Sequence, residues 1–363
     1  MTTARGVLLA AGGTGGHLFP AASLAAALKR RGVEVDLATD DRALKYGGEF
    51  PARAIHAIPS ATPTGAGVLS KALAAATLGR GVVVAYALLR RLRPRVVVGF
   101  GGYPTVPPLI AASLLKIPAI LHEQNAVIGR ANRFLAGRVN LIATGFPDLN
   151  GVDPAKVRHV GNPVRPQVLA AAEIPYPSFD DGRLKVLVTG GSQGARVMSD
   201  IVPAALALLT EAERARIRLT QQARGEDLAR VAAACAKIEF PVEIAEFFAD
   251  LPARIAAAHL VIGRAGASTV SELAVIGRPS ILIPFPHALD QDQAANAAVL
   301  AASGAATVIR QADFSPERLA ALLRSALAEP ARLTAAAAKA KAAGVSDAAE
   351  RLADEAMRLA GAS

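Results

Sequence analysis

Short apolar runs alternate with longer stretches of helical periodicity along almost the whole chain. Residues 7–11 form an unbroken apolar run, and a helix is predicted behind it near 20–31. Residues 33–38 read as the next strand, ending at Thr39-Asp40-Asp41. Strands at 96–99, 119–121 and 141–143 follow. Runs of this length that end in glycine or polar residues suit strands buried on both faces. The βαβ rhythm predicts a parallel sheet covered by helices, with ligands outside the C-terminal strand ends. A stretch rich in Pro and Gly, from Gly161-Asn162-Pro163-Val164-Arg165-Pro166 to Gly182, interrupts the rhythm and reads as an inter-domain hinge. A second series then begins, with strands at 184–188, 217–220, 242–245, 260–262 and 280–283. The tail from Ser315 is helical, and its last helix, near 347–359, is expected to pack back across the domain junction. The expected division is 1–162, 163–345 and a returning C-terminal helix at 346–363.

Composition agrees with two domains. The chain has 363 residues, against roughly 100–200 per domain. It is 52% hydrophobic but only 4% aromatic, so the cores should be built from Val, Leu, Ile and Ala. Lys and Arg number 40 against 30 Asp and Glu, a net charge of +10. Such a balance suits phosphorylated small molecules or an anionic lipid surface. No stripe of basic residues interleaved with aromatics is present, so nucleic acid is not an expected partner. Cys235 is the only cysteine, which rules out an internal disulfide and fits a reducing cytoplasm. A signal peptide is not expected, because only Arg5 precedes the first strand. No uncharged apolar run approaches the ~20 residues that span a bilayer. The expectation is a soluble or peripheral protein.

The candidate chemistry lies in glycine loops at predicted strand ends. Gly12-Gly13-Thr14-Gly15-Gly16-His17 follows the first strand, and Gly190-Gly191-Ser192-Gln193-Gly194 follows residues 184–188. A strand emptying through such a turn into a helix aims backbone N–H groups at an anion, usually a phosphate. The first loop is not a dinucleotide fingerprint, since Leu18 stands where the third glycine would fall. Asp40 at the end of the second strand still leaves a nicotinamide reading open. His17 lies just inside a helix start, where its ring can face a ligand. The second loop also fits a hydrolase nucleophile elbow, with Ser192 followed by Asp250, His259 and His287 in order. A third turn, Gly263-Arg264-Ala265-Gly266, opens a helix with Glu272 expected three residues in. That carboxylate can take two ribose hydroxyls or cap the backbone. Asp290-Gln291-Asp292 offers a weak divalent-metal spacing. His122-Glu123-Gln124-Asn125 can orient a substrate hydroxyl or satisfy loop backbone. Between Val68 and Arg95 an apolar stretch carries Lys71, Arg80, Arg90, Arg91 and Arg93. This suits docking on an anionic leaflet, or a buried helix with Arg at its ends.

Taken together and in this order, the motifs resemble the MurG family of peptidoglycan glycosyltransferases. The likeness runs over nearly the whole chain: residues 12–20, Gly101-Gly102-Tyr103, His122 to Asn125, Gly161 to Arg165, residues 190–196, Arg264 to Glu272, and Gln293 with Asn296-Ala297. It implies a GT-B fold, two Rossmann-like parallel-sheet α/β domains facing a cleft. It implies transfer of N-acetylglucosamine from UDP-N-acetylglucosamine to the C4 hydroxyl of the muramoyl sugar in undecaprenyl-pyrophosphoryl-MurNAc-pentapeptide (lipid I). The linkage would change from α to β1→4, a single inverting displacement, with no obligatory cofactor and no metal. Location at the cytoplasmic face of the inner membrane, and a part in cell-wall synthesis, cell shape and division, follow from the same likeness. By position, Thr14, Gly15, Gly16, Asn125, Arg165, Ser192, Ala267, Ser268, Thr269, Val270, Ser271, Glu272 and Gln293 match the donor-site pattern. Glu272 would hold the ribose and Gln293 would read the sugar. Phe248 would meet uracil through its main chain. His17 would be the general base or the organiser of the acceptor site, with Asn125 beside it. Pro107 and Pro108 depart from the family's glycine loop and remove N–H donors there. Another GT-B enzyme with a different lipid acceptor is the nearest alternative.

Overall fold

A computed structural model describes residues 6–12, 14–40, 50–62, 67–191, 194–288 and 291–361. The chain forms two compact units, one of residues 1–165 with 346–363 and the other of 166–345.

The first unit runs β1 (Val7–Ala10), α1 (Gly15–Arg30), β2 (Val35–Thr39), β3 (Ala54–Ala57), α2 (Val68–Leu92), β4 (Val96–Gly99), α3 (Val106–Leu114), β5 (Ala119–Glu123), α4 (Arg130–Leu135), β6 (Leu141–Thr144) and β7 (Val157–His159). Its seven strands are all parallel, in the order β3-β2-β1-β4-β5-β6-β7. Val7 pairs with Val35 on one side and Val96 on the other. Every residue of β1, β2, β4, β5 and β6 is buried, which explains their near-continuous apolar runs. α1 lays Leu18, Ala21, Leu24, Ala25 and Leu28 against this sheet at helical spacing.

The second unit runs α5 (Pro166–Ala172), β8 (Leu184–Thr189), α6 (Arg196–Ala207), α7 (Glu211–Ala215), β9 (Ile217–Gln222), α8 (Gly225–Ala236), β10 (Val242–Ala245), α9 (Leu251–Ala257), β11 (Leu260–Gly263), α10 (Ala267–Ile276), β12 (Ser280–Leu282), α11 (Asp292–Ala302), β13 (Ala306–Val308), α12 (Pro316–Ala328) and α13 (Pro330–Ala343). Its six parallel strands are ordered β10-β9-β8-β11-β12-β13. The last helix, α14 (Ala348–Gly361), returns to the first unit, where Leu352, Ala353, Ala356 and Ala360 join its core.

Both sheets reverse strand order at one place, between β1 and β4 in one and between β8 and β11 in the other. The crevice outside the carboxyl ends at such a reversal is where open α/β sheets bind ligands. Each glycine loop singled out above leaves one of these four strands.

Several elements differ from the sequence-based expectation. β3, β7 and β13 were not foreseen; they are three- or four-residue strands at or beside a sheet edge, with no fully buried residue. α1 begins at Gly15 rather than near Pro20, because the glycine loop runs directly into the helix. α10 starts at Ala267, so Glu272 is its sixth residue, one turn too deep for a capping box. The basic-apolar stretch is a single helix, α2, packed along α3. By length and composition, Ser70–Leu92 would suffice to cross a membrane. In the fold it buries Ala74, Ala85, Leu88 and Leu89 and leaves Leu73 and Val83 each 70% exposed.

Candidate active site

In the first unit the site is built around His17. Its ring lies in a slot formed by Gly12, Gly101 and Gly102. A Cβ added to Gly12 would stand 3.1 Å from Cδ2, and one on Gly102 3.3 Å from both Cδ2 and Nε2. Gly101 and Gly102 have φ of +86° and +75°, so glycine there serves both the turn and the close approach of the ring.

The His122–Asn125 segment is mostly internal scaffolding. His122 is fully buried against Phe100, and its Nε2 lies 3.1 Å from the Gly161 carbonyl. A carbonyl only accepts, so Nε2 carries the proton. Burial, with a smaller contribution from His17, lowers the His122 pKa to about 4 and keeps the ring neutral. The Glu123 carboxylate, also buried, accepts from Asn125 N, Asn125 Nδ2, Gly129 N and Asn132 Nδ2 at 2.7–3.3 Å. Burial raises its pKa, and these four donors pull the other way. The result is a rigid mount for Asn125, which is half-buried at the end of β5. Gln124 donates to Phe100 O, and Asn162 donates to Gln124 O. Arg165 lays its guanidinium 4.9 Å from the Phe19 ring, near the start of α1. Thr14, Gly15 and Gly16 open α1, and its first turn holds no acidic residue.

In the second unit the loop after β8 is held by Gln222, which sequence reasoning missed. Its Oε1 accepts from Thr189 Oγ1 and Gly190 N, and its Nε2 donates to Gly191 O and Glu246 O. A Cβ on Gly190 would collide with the Ala195 amide, so the turn requires glycine. Ser192 and Gln193 lie outside the described residues.

The turn after β11 is fixed from α11. Gln293 Oε1 accepts from both Ala265 N and Phe285 N, and Asn296 Nδ2 donates to Ala265 O. Gln293 therefore couples two loops and keeps its Nε2 as a donor. Arg264 donates to Ile283 O, Pro284 O and Gln311 Oε1, and burial lowers its pKa. Ala267 to Ser271 form the first turn of α10, which carries no acidic residue. Its N–H groups and dipole favour an anion. Glu272 follows, 7% exposed. Phe248 is buried under the Arg254 guanidinium, 4.3 Å from its ring centre, which leaves its main chain as the route to a ligand.

The hydrolase reading fails on geometry. Asp250 is exposed and paired with Arg254 at 2.8 Å. His259 precedes β11, at the sheet end opposite the Gly190 loop. Both of its ring nitrogens are engaged, by Lys185 N and Ser178 O. His287 is exposed and packs edge-on to Phe285. Asp290 lies outside the described residues. Among those described, no three His, Cys, Asp or Glu side chains gather as a metal site.

Two parallel-sheet α/β units, each with anion-directed glycine loops at its strand-order reversal, define the GT-B fold. Residues 7–144 match the glycosyltransferase family 28 N-terminal domain and residues 185–352 its C-terminal domain. The chain is 60% identical over 353 residues to the UDP-N-acetylglucosamine--N-acetylmuramyl-(pentapeptide) pyrophosphoryl-undecaprenol N-acetylglucosamine transferase of Methylobacterium sp. (strain 4-46), covering 96% of this chain and 95% of that one. It is 56% identical to the enzyme of the same name from Brucella canis, covering 98% and 94%. The crystal structure of MurG from Acinetobacter baumannii superposes with a TM-score of 0.80 at 28% identity, covering 98% and 100%. The chain belongs to glycosyltransferase family 28 and, within it, to the MurG enzymes.

Proposed function

We propose that this chain transfers N-acetylglucosamine from UDP-N-acetylglucosamine to the C4 hydroxyl of the muramoyl sugar of undecaprenyl-pyrophosphoryl-MurNAc-pentapeptide, the step from lipid I to lipid II. The observation that carries the reading is identity of about 60% over 96% of the chain with enzymes named for this reaction. The glycine loops at both strand-order reversals support it.

The chemistry is one in-line displacement. The acceptor O4 forms a bond to C1 of the hexose while the bond from C1 to the diphosphate oxygen breaks. The electron pair leaves on UDP, and His17 takes the hydroxyl proton. Asn125, fixed by Glu123, aligns the acceptor. The amides around Gly190 and the first turn of α10, with Ser192, meet the charge growing on the diphosphate. Within the first unit, Arg165 and the helix start at Thr14–Gly16 offer positive potential of their own. Glu272 binds the ribose hydroxyls, the Phe248 main chain meets uracil, and the Gln293 amide reads the sugar. UDP release from UDP-N-acetylglucosamine with a soluble lipid I analogue tests the assignment. Release with another UDP-sugar but not this one overturns it.

We further propose that the outward face of α2 rests on an anionic membrane. Leu73, Ala76, Val83 and Ala87 are exposed there at helical spacing, with Arg80 in the same stripe and Arg90 and Arg91 exposed at its C-terminal end. That arrangement suits a peripheral enzyme on the cytoplasmic face of the inner membrane.

A further inference from the structure

In the second sheet β9 lies between β8 and β10, and all three strands are parallel. The carboxyl end of β9 is therefore flanked by the loops that leave its two neighbours. Gln222 occupies that end. It is the last residue of β9, pairs in register with Ala245 of β10 and is only 6% exposed. A side-chain amide offers two N–H donors and two acceptor positions, and all four are used. Toward β8, Thr189 Oγ1 and Gly190 N donate to Oε1 at 2.9 and 3.0 Å, and Nε2 donates to Gly191 O at 3.0 Å. Toward β10, Nε2 donates to Glu246 O at 3.1 Å.

One side chain thus joins the anion-directed loop after β8 to the segment 246–250, whose main chain at Phe248 is the expected route to uracil. Two effects follow. Nε2 turns the Gly191 and Glu246 carbonyls toward itself, and a carbonyl held in this way does not present its negative end to a phosphate. In a planar trans peptide the carbonyl and the next N–H point in opposite directions. Holding Glu246 O therefore also fixes the peptide plane that leads into Phe247 and Phe248. The far end of this segment is stiffened separately. The Arg254 guanidinium lies over the Phe248 ring and bonds Asp250 Oδ1 at 2.8 Å and Glu243 Oε2 at 2.7 Å. With that end fastened, the Glu246 carbonyl sets where the segment stands relative to the Gly190 loop.

We propose that Gln222 is a positioning residue for the donor nucleotide, fixing the diphosphate loop and the uracil segment at the spacing that one UDP spans. The proposal rests on the donor reading given above, and Gln222 acts through the two loops rather than on a reacting atom. Two variants test it. Gln222→Met has similar length and removes all four bonds without adding charge. Gln222→Glu keeps the acceptor but sets a carboxylate against two carbonyl oxygens. Calorimetric titration of the full chain with UDP should show Kd raised at least about tenfold in Gln222→Met, the worth of one or two buried hydrogen bonds, and further in Gln222→Glu. KM for UDP-N-acetylglucosamine should rise by a similar factor, with KM for a soluble lipid I analogue unchanged. A purely structural role would lower the number of binding sites and kcat but leave Kd and both KM values where they were. Hydrogen exchange on the unliganded chain should be faster in Gln222→Met both near Gly190 and near 246–248. The proposal is overturned by a UDP Kd within about twofold of the parent in both variants, by acceptor KM rising as much as donor KM, or by faster exchange confined to one of the two segments. Failure of the parent chain itself to bind UDP overturns the donor reading, and this proposal with it.

Discussion

Glu272 shows how burial sharpens a functional assignment at the scale of one residue. It lies 7% exposed in the second turn of α10, one turn from a helix start that favours an anion. A charged hydrogen bond is worth about 1.5–3 kcal/mol, so Glu272→Ala should raise KM for UDP-N-acetylglucosamine on the order of 10–100-fold. Steady-state kinetics checks this, and an unchanged KM removes Glu272 from the ribose. His17→Ala should act differently, lowering kcat far more than donor KM. His122 makes a prediction about stability. Its pKa falls from 6.5 to about 4 on folding, because burial penalises the imidazolium. Between those values the unfolded chain binds a proton that the folded chain refuses, so stability is full above about pH 6.5 and declines as pH falls toward 4. The loss reaches about 3 kcal/mol at the low end. Denaturant titrations at pH 7 and pH 5 should show a shallower decline in His122→Gln than in the parent chain.

At the scale of elements, α14 is held in two ways that differ greatly in strength. Arg30 and Arg31 pair with Glu350, and Arg31 also with Asp354, but Glu350 is 41% and Asp354 71% exposed. Exposed pairs contribute about 0–1 kcal/mol. Leu352 is fully buried among the side chains of α1 and its sheet. Leu352→Ala should therefore cost about 2–5 kcal/mol, and Glu350→Ala less than about 1 kcal/mol, both measurable by urea denaturation. α2 carries the membrane prediction. The double variant Leu73→Asp/Val83→Asp should lose sedimentation with vesicles rich in anionic lipid while still transferring to a soluble acceptor. Retained sedimentation would dismiss the α2 face as the docking surface.

At the scale of the whole molecule, the duplication is one of strand order rather than of sequence. Each unit places its loops at the reversal between its first and fourth strands in chain order. Hydrogen exchange on the intact chain should show UDP protecting amides near 190–194, 246–250 and 264–272 in the second unit. The sheet of the first unit should be little affected, and protection confined to the first unit would reverse the donor assignment.

Periodicity and turn chemistry are local, and they were sufficient to reveal the alternating fold, the glycine loops and Glu272 as a candidate, whereas Gln293 entered only through the family resemblance. Burial on both faces makes β1, β4, β8 and β11 read as apolar runs without any knowledge of their neighbours. β3, β7 and β13 lack that signature because short, partly exposed strands are specified by their partners. Gln222 has no local mark at all: it is one glutamine at a strand end until β8 is laid beside β9. The neutrality of His122 and the mount that Glu123 provides for Asn125 are likewise absent from any window of sequence. Each depends on which groups distant in the chain exclude water from the same place, and only the packed tertiary structure decides that.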